Sequence, residues 1–158
     1  MPVSGRKIPW LIIILGAVGS SILLPYTCYI FSDLYRAVHM VDLVIQDFRV
    51  RVSEGEGWAN VTFTLHNPSE YTFKRVRITQ KLFLNGEFLG IKFGEYRELP
   101  AKANMTVAFH FHIPPHKLKL VQEAKSQSWT ATFYILFRVP IIDSTYHRSF
   151  SRKLEPQT

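Results

Sequence analysis

The sequence has very little cysteine. Cys28 is the single one in 158 residues, so no disulfide can form within the chain. The folded part must therefore be stabilised by its hydrophobic core. No phosphate-binding glycine loop is present either, and Gly55-Glu56-Gly57 is interpreted as a turn between the first two strands. No carboxylates are spaced as an acid–base pair, and no Ser/His/Asp set can be argued from position. The sequence thus predicts no enzymatic activity and no cofactor.

Acidic residues are also few. The chain has 19 Lys and Arg against 12 Asp and Glu, a formal charge of +7, and 17 of the basic residues follow Lys7. Diffuse positive charge of this kind is typical of a surface attracted to anionic lipid headgroups or glycans, and it does not indicate a nucleic-acid partner.

Charge is missing altogether from residues 8–31, IPWLIIILGAVGSSILLPYTCYIF. As a helix this segment would reach about 36 Å, enough to cross a hydrocarbon core of about 30 Å. The pattern predicts a transmembrane helix that acts as a signal anchor, with residues 1–7 in the cytosol and a juxtamembrane linker at 32–40. A cleaved signal peptide is the alternative, although its apolar region would be only about 7–15 residues long.

The charges that flank this segment predict its orientation. Arg6, Lys7 and the amino terminus outweigh the positive charge on the far side, which favours a cytosolic N-terminus and an extracytoplasmic domain at the plasma membrane. The triplets that begin at Asn60 and Asn104 are glycosylation sequons and indicate the same orientation, so the chain is a candidate glycoprotein.

Gly16 and Ser20 are small residues four positions apart in the apolar segment. This spacing would let another membrane helix approach closely. Small residues are also common in single-pass anchors, and this second interpretation stays open.

Beyond the anchor, apolar residues recur at every second position. Odd-numbered residues in 59–65, 107–113 and 129–139 are apolar or small while even-numbered neighbours are mostly polar, which is typical of strands with one buried face. About seven such strands predict an all-β fold, an immunoglobulin-like or fibronectin-III-like antiparallel β-sandwich over residues 41–151. Residues 152–158 are predicted to be a flexible tail.

Two local elements can be predicted within this domain. Asn85-Gly86 predicts a two-residue hairpin whose central residues have positive φ, with Leu82 opposite Leu89. A short helix is expected within residues 116–127, because Leu118, Val121 and Ala124 have helical spacing.

The histidines form the one cluster with metal-like spacing. His110, His112 and His116 could share a metal ion, and a metal-dependent enzyme is the hypothesis that follows. The neighbouring Phe109 and Phe111 are expected in the core, however, so His110 and His112 should face solvent. We therefore expect no metal site.

Basic residues alternate with apolar ones in two of the predicted strands. If these strands are neighbours, they would form one basic outer face, which could meet lipid headgroups or an acidic partner. Solvated strand surfaces are the simpler interpretation. The residues are Arg49, Arg51, Arg75, Arg77 and Lys81.

An ordered series of turn residues carries a family resemblance. An apolar strand ends in Asn67-Pro68, the next leads to Asn85-Gly86, Gly90 follows, and Leu99-Pro100 precedes another alternating strand. In this series residues 41–139 resemble the late embryogenesis abundant group 2 domain, also called the water stress and hypersensitive response domain. Ser69 departs from the family pattern, which often has Asn there.

The resemblance implies a seven-stranded fibronectin-like sandwich, either free or behind one transmembrane helix. It further implies an association with desiccation, stress or defence, no catalytic activity, and fold-keeping roles for the motif residues. We therefore expect a single-pass membrane-anchored, non-enzymatic module with a stress-protective or surface-binding role. Its partners would be the bilayer, anionic headgroups, glycans or another membrane protein. The alternative function is that of an accessory subunit of a larger membrane complex.

Overall fold

The computed structural model describes residues 7–53, 55–123, 127–139 and 144–157. The chain divides into two compact units, residues 1–36 and residues 37–158.

Most of the first unit is helix α1, which spans Lys7–Met40. The last four residues of this helix, 37–40, belong to the second unit. The helix is longer than predicted, because residues 32–40, the expected linker, are helical. Ile12–Met40 is long and apolar enough to cross a membrane, with a mean hydropathy of 1.7. Hydroxyls inside the helix are satisfied locally: Ser21 donates to the Ala17 carbonyl at 2.7 Å. A signal sequence has the same properties, so α1 is a candidate span.

The second unit is a β-sandwich of seven strands in two antiparallel sheets, which confirms the predicted fold class. The elements are β1 Asp42–Ser53, β2 Glu56–His66, β3 Phe73–Leu84, β4 Glu87–Leu99, β5 Asn104–Ile113, α2 Pro115–Glu123, β6 Trp129–Val139 and β7 Ser144–Leu154.

The strand order distinguishes between the two predicted types of sandwich. One sheet has the order β1-β2-β5 and the other β4-β3-β6-β7. In an immunoglobulin constant-type sandwich the fourth strand joins the first sheet. Here it pairs with β3, so the arrangement is the fibronectin-III-like one.

The predicted inward faces are confirmed. In β2, β5 and β6 the odd-numbered residues are buried, apart from half-buried Met105, and the even-numbered ones are exposed or half-buried. Aromatic rings join the two sheets: the Phe63 and Phe133 centroids are 4.8 Å apart, and those of Phe48 and Trp129 are 5.2 Å apart. Burying each such side chain stabilises the fold by about 1.5–3 kcal/mol, which a chain without disulfides needs.

The hairpin between β3 and β4 forms where it was predicted. Asn85 has φ 52° and Gly86 φ 84°, as a type I′ turn requires. The predicted pairing of Leu82 with Leu89 is wrong, because Leu82 lies opposite Gly90. A β-bulge next to the turn adds one residue to β4, and Leu89 is that residue.

Helix α2 packs on the end of β2. The predicted short helix is present, and Leu118 and Val121 are buried, while Ala124 lies outside the described residues. A Cβ at Gly57 would stand 2.4 Å from Leu118 Cδ2, so any side chain at this position would require the Leu118 side chain to shift. The predicted turn is shorter than expected: Gly55 has φ 85°, and Gly57 already belongs to β2.

The described C-terminal residues make contacts that a flexible tail would lack. Strand β7 extends to Leu154, which is buried, and the Gln157 amide donates to the Phe48 carbonyl at 2.9 Å. Arg152 Nη2 lies 3.3 Å from Asp42 Oδ1, so β7 is also joined to β1 of the other sheet. Residues 152–154, predicted as part of a flexible tail, therefore belong to the sandwich.

Candidate functional site

Asn67 is fully buried and all the hydrogen-bonding atoms of its side chain are used. Its Nδ2 donates to the carbonyls of Tyr71 and Pro100, each at 2.8 Å. Its Oδ1 accepts from the Ser69 amide at 3.1 Å and from the Ser69 hydroxyl at 2.7 Å. Asn67 thus joins the loop before β3 to the loop after β4.

The other motif residues also have geometric reasons. Ser69, the departure from the family pattern, supplies a hydroxyl that Asn67 binds. A Cβ on Gly90 would lie 3.3 Å from Phe111 Cδ1, so glycine permits β4 to approach the β5 side chain closely. Pro68 follows the last residue pair of β2, where its missing N–H disturbs no ladder. This arrangement determines loop geometry and contains no nucleophile.

Both sequons lie on the outer face of the three-stranded sheet, and each asparagine side chain contacts a histidine across the ladder. Asn60 Oδ1 is 2.7 Å from His110 Nδ1, and Asn104 Oδ1 is 2.6 Å from His66 Nδ1. These polar groups are thus occupied by cross-strand pairs.

His110 and His112 face outward, as expected, and are engaged separately, while His116 is exposed near the start of α2. His110 pairs with Asn60, whereas the His112 ring meets Trp58 edge to face at 4.8 Å. Over the ranges that the structure describes, no group of three His, Cys, Asp or Glu side chains is arranged to hold a metal ion.

Trp58 is a surface residue that the sequence analysis did not single out. It is 44% exposed and lines a shallow depression with Arg51, Asn60 and His110. The signal was present in the sequence, because Trp58 shares the outward parity of Asn60 in β2.

The predicted basic face is not one surface. Arg49 and Arg51 lie on β1 of the three-stranded sheet, whereas Arg75, Arg77 and Lys81 lie on β3 of the other sheet. The prediction required β1 and β3 to be neighbours, and they belong to different layers. Arg49 is paired with Asp47 at 3.0 Å, so charge on that sheet is partly neutralised.

Two arginines of β3 lie near residues of β6 and β7. Arg75 and Arg77 line a cavity of about 280 Å³ together with Arg138 and Thr145 from β6 and β7. Glu95 of β4 also lines it and lies 3.3 Å from Arg77. Arg138 was missed because nothing local indicates that β6 pairs with β3; its outward parity in β6 was the available signal.

Two ionisable groups of β4 lie near this end of the sheet. A hydrogen bond from Lys74 lowers the pKa of Glu98, and burial raises the pKa of Tyr96. The stabilisation from Glu98 is present above its unfolded-state pKa and is lost as pH falls through the lower folded-state value.

An apolar patch also lies on this outer face. Phe93 is 78% exposed, and Ile91, Phe88 and Tyr134 lie near it in the register of β4, β3 and β6. The Lys81 ammonium is 5.3 Å from the centroid of the Tyr134 ring.

The predicted helix-packing residues are accessible. A Cβ on Gly16 would meet nothing within 4 Å, and Ser20, one turn later, is exposed.

Comparison with known proteins identifies the fold. No family model matches the sequence, and no curated protein matches it. Among solved structures the chain is similar to AT1g01470 from Arabidopsis thaliana, with a TM-score of 0.53 and 12% identity over 73% of this chain and 82% of that one.

Two further structures have lower scores. A protein from Archaeoglobus fulgidus has a TM-score of 0.48 and 10% identity over 75% of this chain and 94% of that one. At2g46140.1, described as a late embryogenesis abundant (LEA) protein, has a TM-score of 0.46 and 13% identity over 92% of this chain and 88% of that one. At 12% identity, the similarity to AT1g01470 shows that the sandwich fold is shared and nothing about activity.

Proposed function

We propose that this chain is a single-pass membrane protein in which α1 anchors a non-enzymatic β-sandwich with a stress-protective or surface-binding role. The N-terminus would be cytosolic and the sandwich extracytoplasmic at the plasma membrane. The proposal depends most on the apolar surface of α1, where Ile22 is 67% and Leu24 65% exposed. In water this surface would be unfavourable at roughly 25 cal/mol per Å² of apolar area, whereas a bilayer would cover it.

The stress-related role rests on the family resemblance of the Asn67-Pro68 to Pro100 series, whose residues are seen here in loop-forming contacts. The non-enzymatic role is supported by the outer face of the three-stranded sheet. There His110 is paired with Asn60, His66 with Asn104, and the Thr64 hydroxyl with the Thr106 hydroxyl. These pairs use the polar side chains to join neighbouring strands, which is a structural role.

The anchor is tested by extracting cell membranes with alkaline carbonate. The full chain should stay in the membrane pellet. A variant with Val18→Arg and Ile22→Arg should leave it, because each arginine near the helix centre costs about 2.5–3.5 kcal/mol of insertion free energy. Val18→Leu with Ile22→Leu is the matched control and should behave like the parent. If the arginine variant stays in the pellet, α1 is not what holds the chain.

The orientation is tested by adding protease to intact cells. Cleavage should remove the sandwich beyond about Arg36 and spare an N-terminal epitope tag. Cleavage in broken cells alone would show the opposite orientation. Endoglycosidase treatment that changes the gel mobility of the parent but not of a variant with both Asn60→Gln and Asn104→Gln would also support an extracytoplasmic sandwich.

Purification in mild detergent distinguishes the proposal from the alternative function. A single species supports a module that works alone. A fixed set of co-purifying membrane proteins that is lost when Gly16 and Ser20 are changed to Leu would support an accessory subunit, because bulky residues prevent close helix packing.

A further inference from the structure

We propose that the cavity between β3, β6 and β7 is a binding site for a phosphate group, formed by Arg75, Arg77 and Arg138. The inference goes beyond the proposed function and does not depend on α1 as an anchor, because every residue of the site lies in the sandwich.

Three arginines from two neighbouring strands line one cavity of about 280 Å³. Glu95, the acidic residue of the described lining, lies 3.3 Å from Arg77, and the described lining as a whole has a net positive charge. A phosphate monoester has three strong acceptor oxygens, and guanidinium groups bind such oxygens in paired, directional hydrogen bonds.

The backbone at Arg75 is also unusual. Its φ is 46°, a left-handed conformation that residues with a side chain rarely adopt. The register of β3 against β6 shifts between Lys74 and Arg77, and both Lys74 and Arg75 are exposed while Phe73 and Val76 are buried. This bulge brings an additional basic residue to the outer face. Backbone strain that persists in a fold is typical of functional positions.

The cavity is large enough for a phosphate group and includes a further hydrogen-bond donor. The cavity has several times the roughly 30 Å³ volume of one water molecule. It can therefore accept a phosphate together with part of the group that carries it. Thr145 adds a hydroxyl to the lining.

The phosphate could belong to a soluble molecule or to a lipid headgroup. The site lies where β3 begins and β6 ends, the end of the sandwich at which β1 also begins. Only Val41 separates α1 from β1 in the chain. Both sources present the same chemistry to the arginines, so the experiment has one arm for each.

In the first arm, inorganic phosphate is titrated into the full chain in an uncharged maltoside detergent at constant ionic strength, and the arginine Nε–H resonances are followed by NMR. In the second, the full chain is placed in nanodiscs of phosphatidylcholine with or without phosphatidic acid, in phosphate-free buffer. Saturable shifts in the first arm support a soluble phosphate ligand. Shifts that require phosphatidic acid support a headgroup.

The key variant is Arg75→Gly, with Lys102→Gly as its matched control. Both replace a basic residue with positive φ, and Lys102 (φ 55°) does not line the cavity. Arg75→Gly should weaken binding about tenfold, because it removes a charge-assisted hydrogen bond. Lys102→Gly should change it less than about twofold, since a remote exposed charge contributes little.

Glycine suits both backbones, so Arg75→Gly should melt no lower than the parent. Loss of binding without loss of stability would therefore support the site. Equal weakening by the two variants would show diffuse charge attraction and overturn the proposal. So would the absence of arginine shifts in both arms.

Discussion

At the scale of single residues, two buried amides behave in opposite ways. Asn67 uses its entire side chain in hydrogen bonds to two loops. Gln80 is also fully buried on the inner side of β3, yet neither its Nε2 nor its Oε1 has a hydrogen-bond partner among the described residues. An amide buried without partners costs free energy, so Gln80 lowers the stability of the sandwich.

Replacing Gln80 with the similarly sized methionine should therefore stabilise the fold. We expect Gln80→Met to raise the free energy of unfolding by about 1–2 kcal/mol, since the penalty for the unpaired amide disappears. Denaturant titration of the full chain in detergent, followed by tryptophan fluorescence, measures the change.

Gln127→Met is the control at an exposed glutamine whose amide is hydrogen-bonded. The Gln127 amide is satisfied, with its Nε2 2.5 Å from the Val121 carbonyl and its Oε1 accepting from the Trp129 indole at 3.1 Å. The same substitution should destabilise here by about 0.5–1.5 kcal/mol. Destabilisation by Gln80→Met would mean that the Gln80 amide has a partner, such as a buried water.

At the scale of elements, turns and bulges determine which residues reach each surface. The Asn85-Gly86 turn has positive φ at both positions, and the adjoining bulge shifts β4 so that Gly90 faces Leu82. The second bulge, at Lys74–Arg77, brings Arg75 to the outer face. The first bulge adds a residue to β4, and the second adds one to β3, the central strand that pairs with β4 and β6.

The hairpin turn can be tested by its need for positive φ. Gly86→Val should destabilise the sandwich by roughly 1–3 kcal/mol, because a β-branched residue resists φ near 84°. Gly86→Asn should cost less than about 0.5 kcal/mol, since asparagine tolerates this region. The melting temperatures of the two variants give the answer, and equal values would show that φ at residue 86 does not control the turn.

At the scale of the whole molecule, the C-terminal residues join the two sheets of the sandwich. Leu154 is buried, Arg152 contacts Asp42 of β1, and the Gln157 amide bonds to Phe48. Residues 152–157 therefore connect the sheet that contains β7 to the sheet that contains β1.

Two truncations separate this role from that of a flexible tail. Ending the chain after Ser151 removes Leu154 and the Arg152 contact, and should cost about 2–4 kcal/mol of stability through lost burial and exposed core. Ending it after Leu154 removes mainly the Gln157 hydrogen bond and should cost about 1 kcal/mol. Thermal melts of the full chain and both truncated chains test this. Similar melting temperatures for all three would favour the flexible tail.

The sequence alone determined the features that depend on near neighbours. Alternation fixes which side of a strand is apolar, so the buried sets of β2, β5 and β6 and the outward histidines could be predicted. Positive φ at Asn85 and Gly86 follows from the turn chemistry of those residues. The apolar run likewise identified α1, although not its extension to Met40.

Only the tertiary structure decided which strands are neighbours. The alternation of apolar and polar residues predicts which side of a strand each residue faces, but not which sheet the strand joins. Arg49 and Arg75 were therefore predicted to share one face although they lie in different sheets. Strand pairing is set by contacts between residues far apart in sequence, such as Arg77 opposite Leu136. For that reason the cavity lined by Arg75, Arg77 and Arg138 could be seen only in the folded structure. The two sheets pack through their inner faces, and this packing leaves the outer faces exposed.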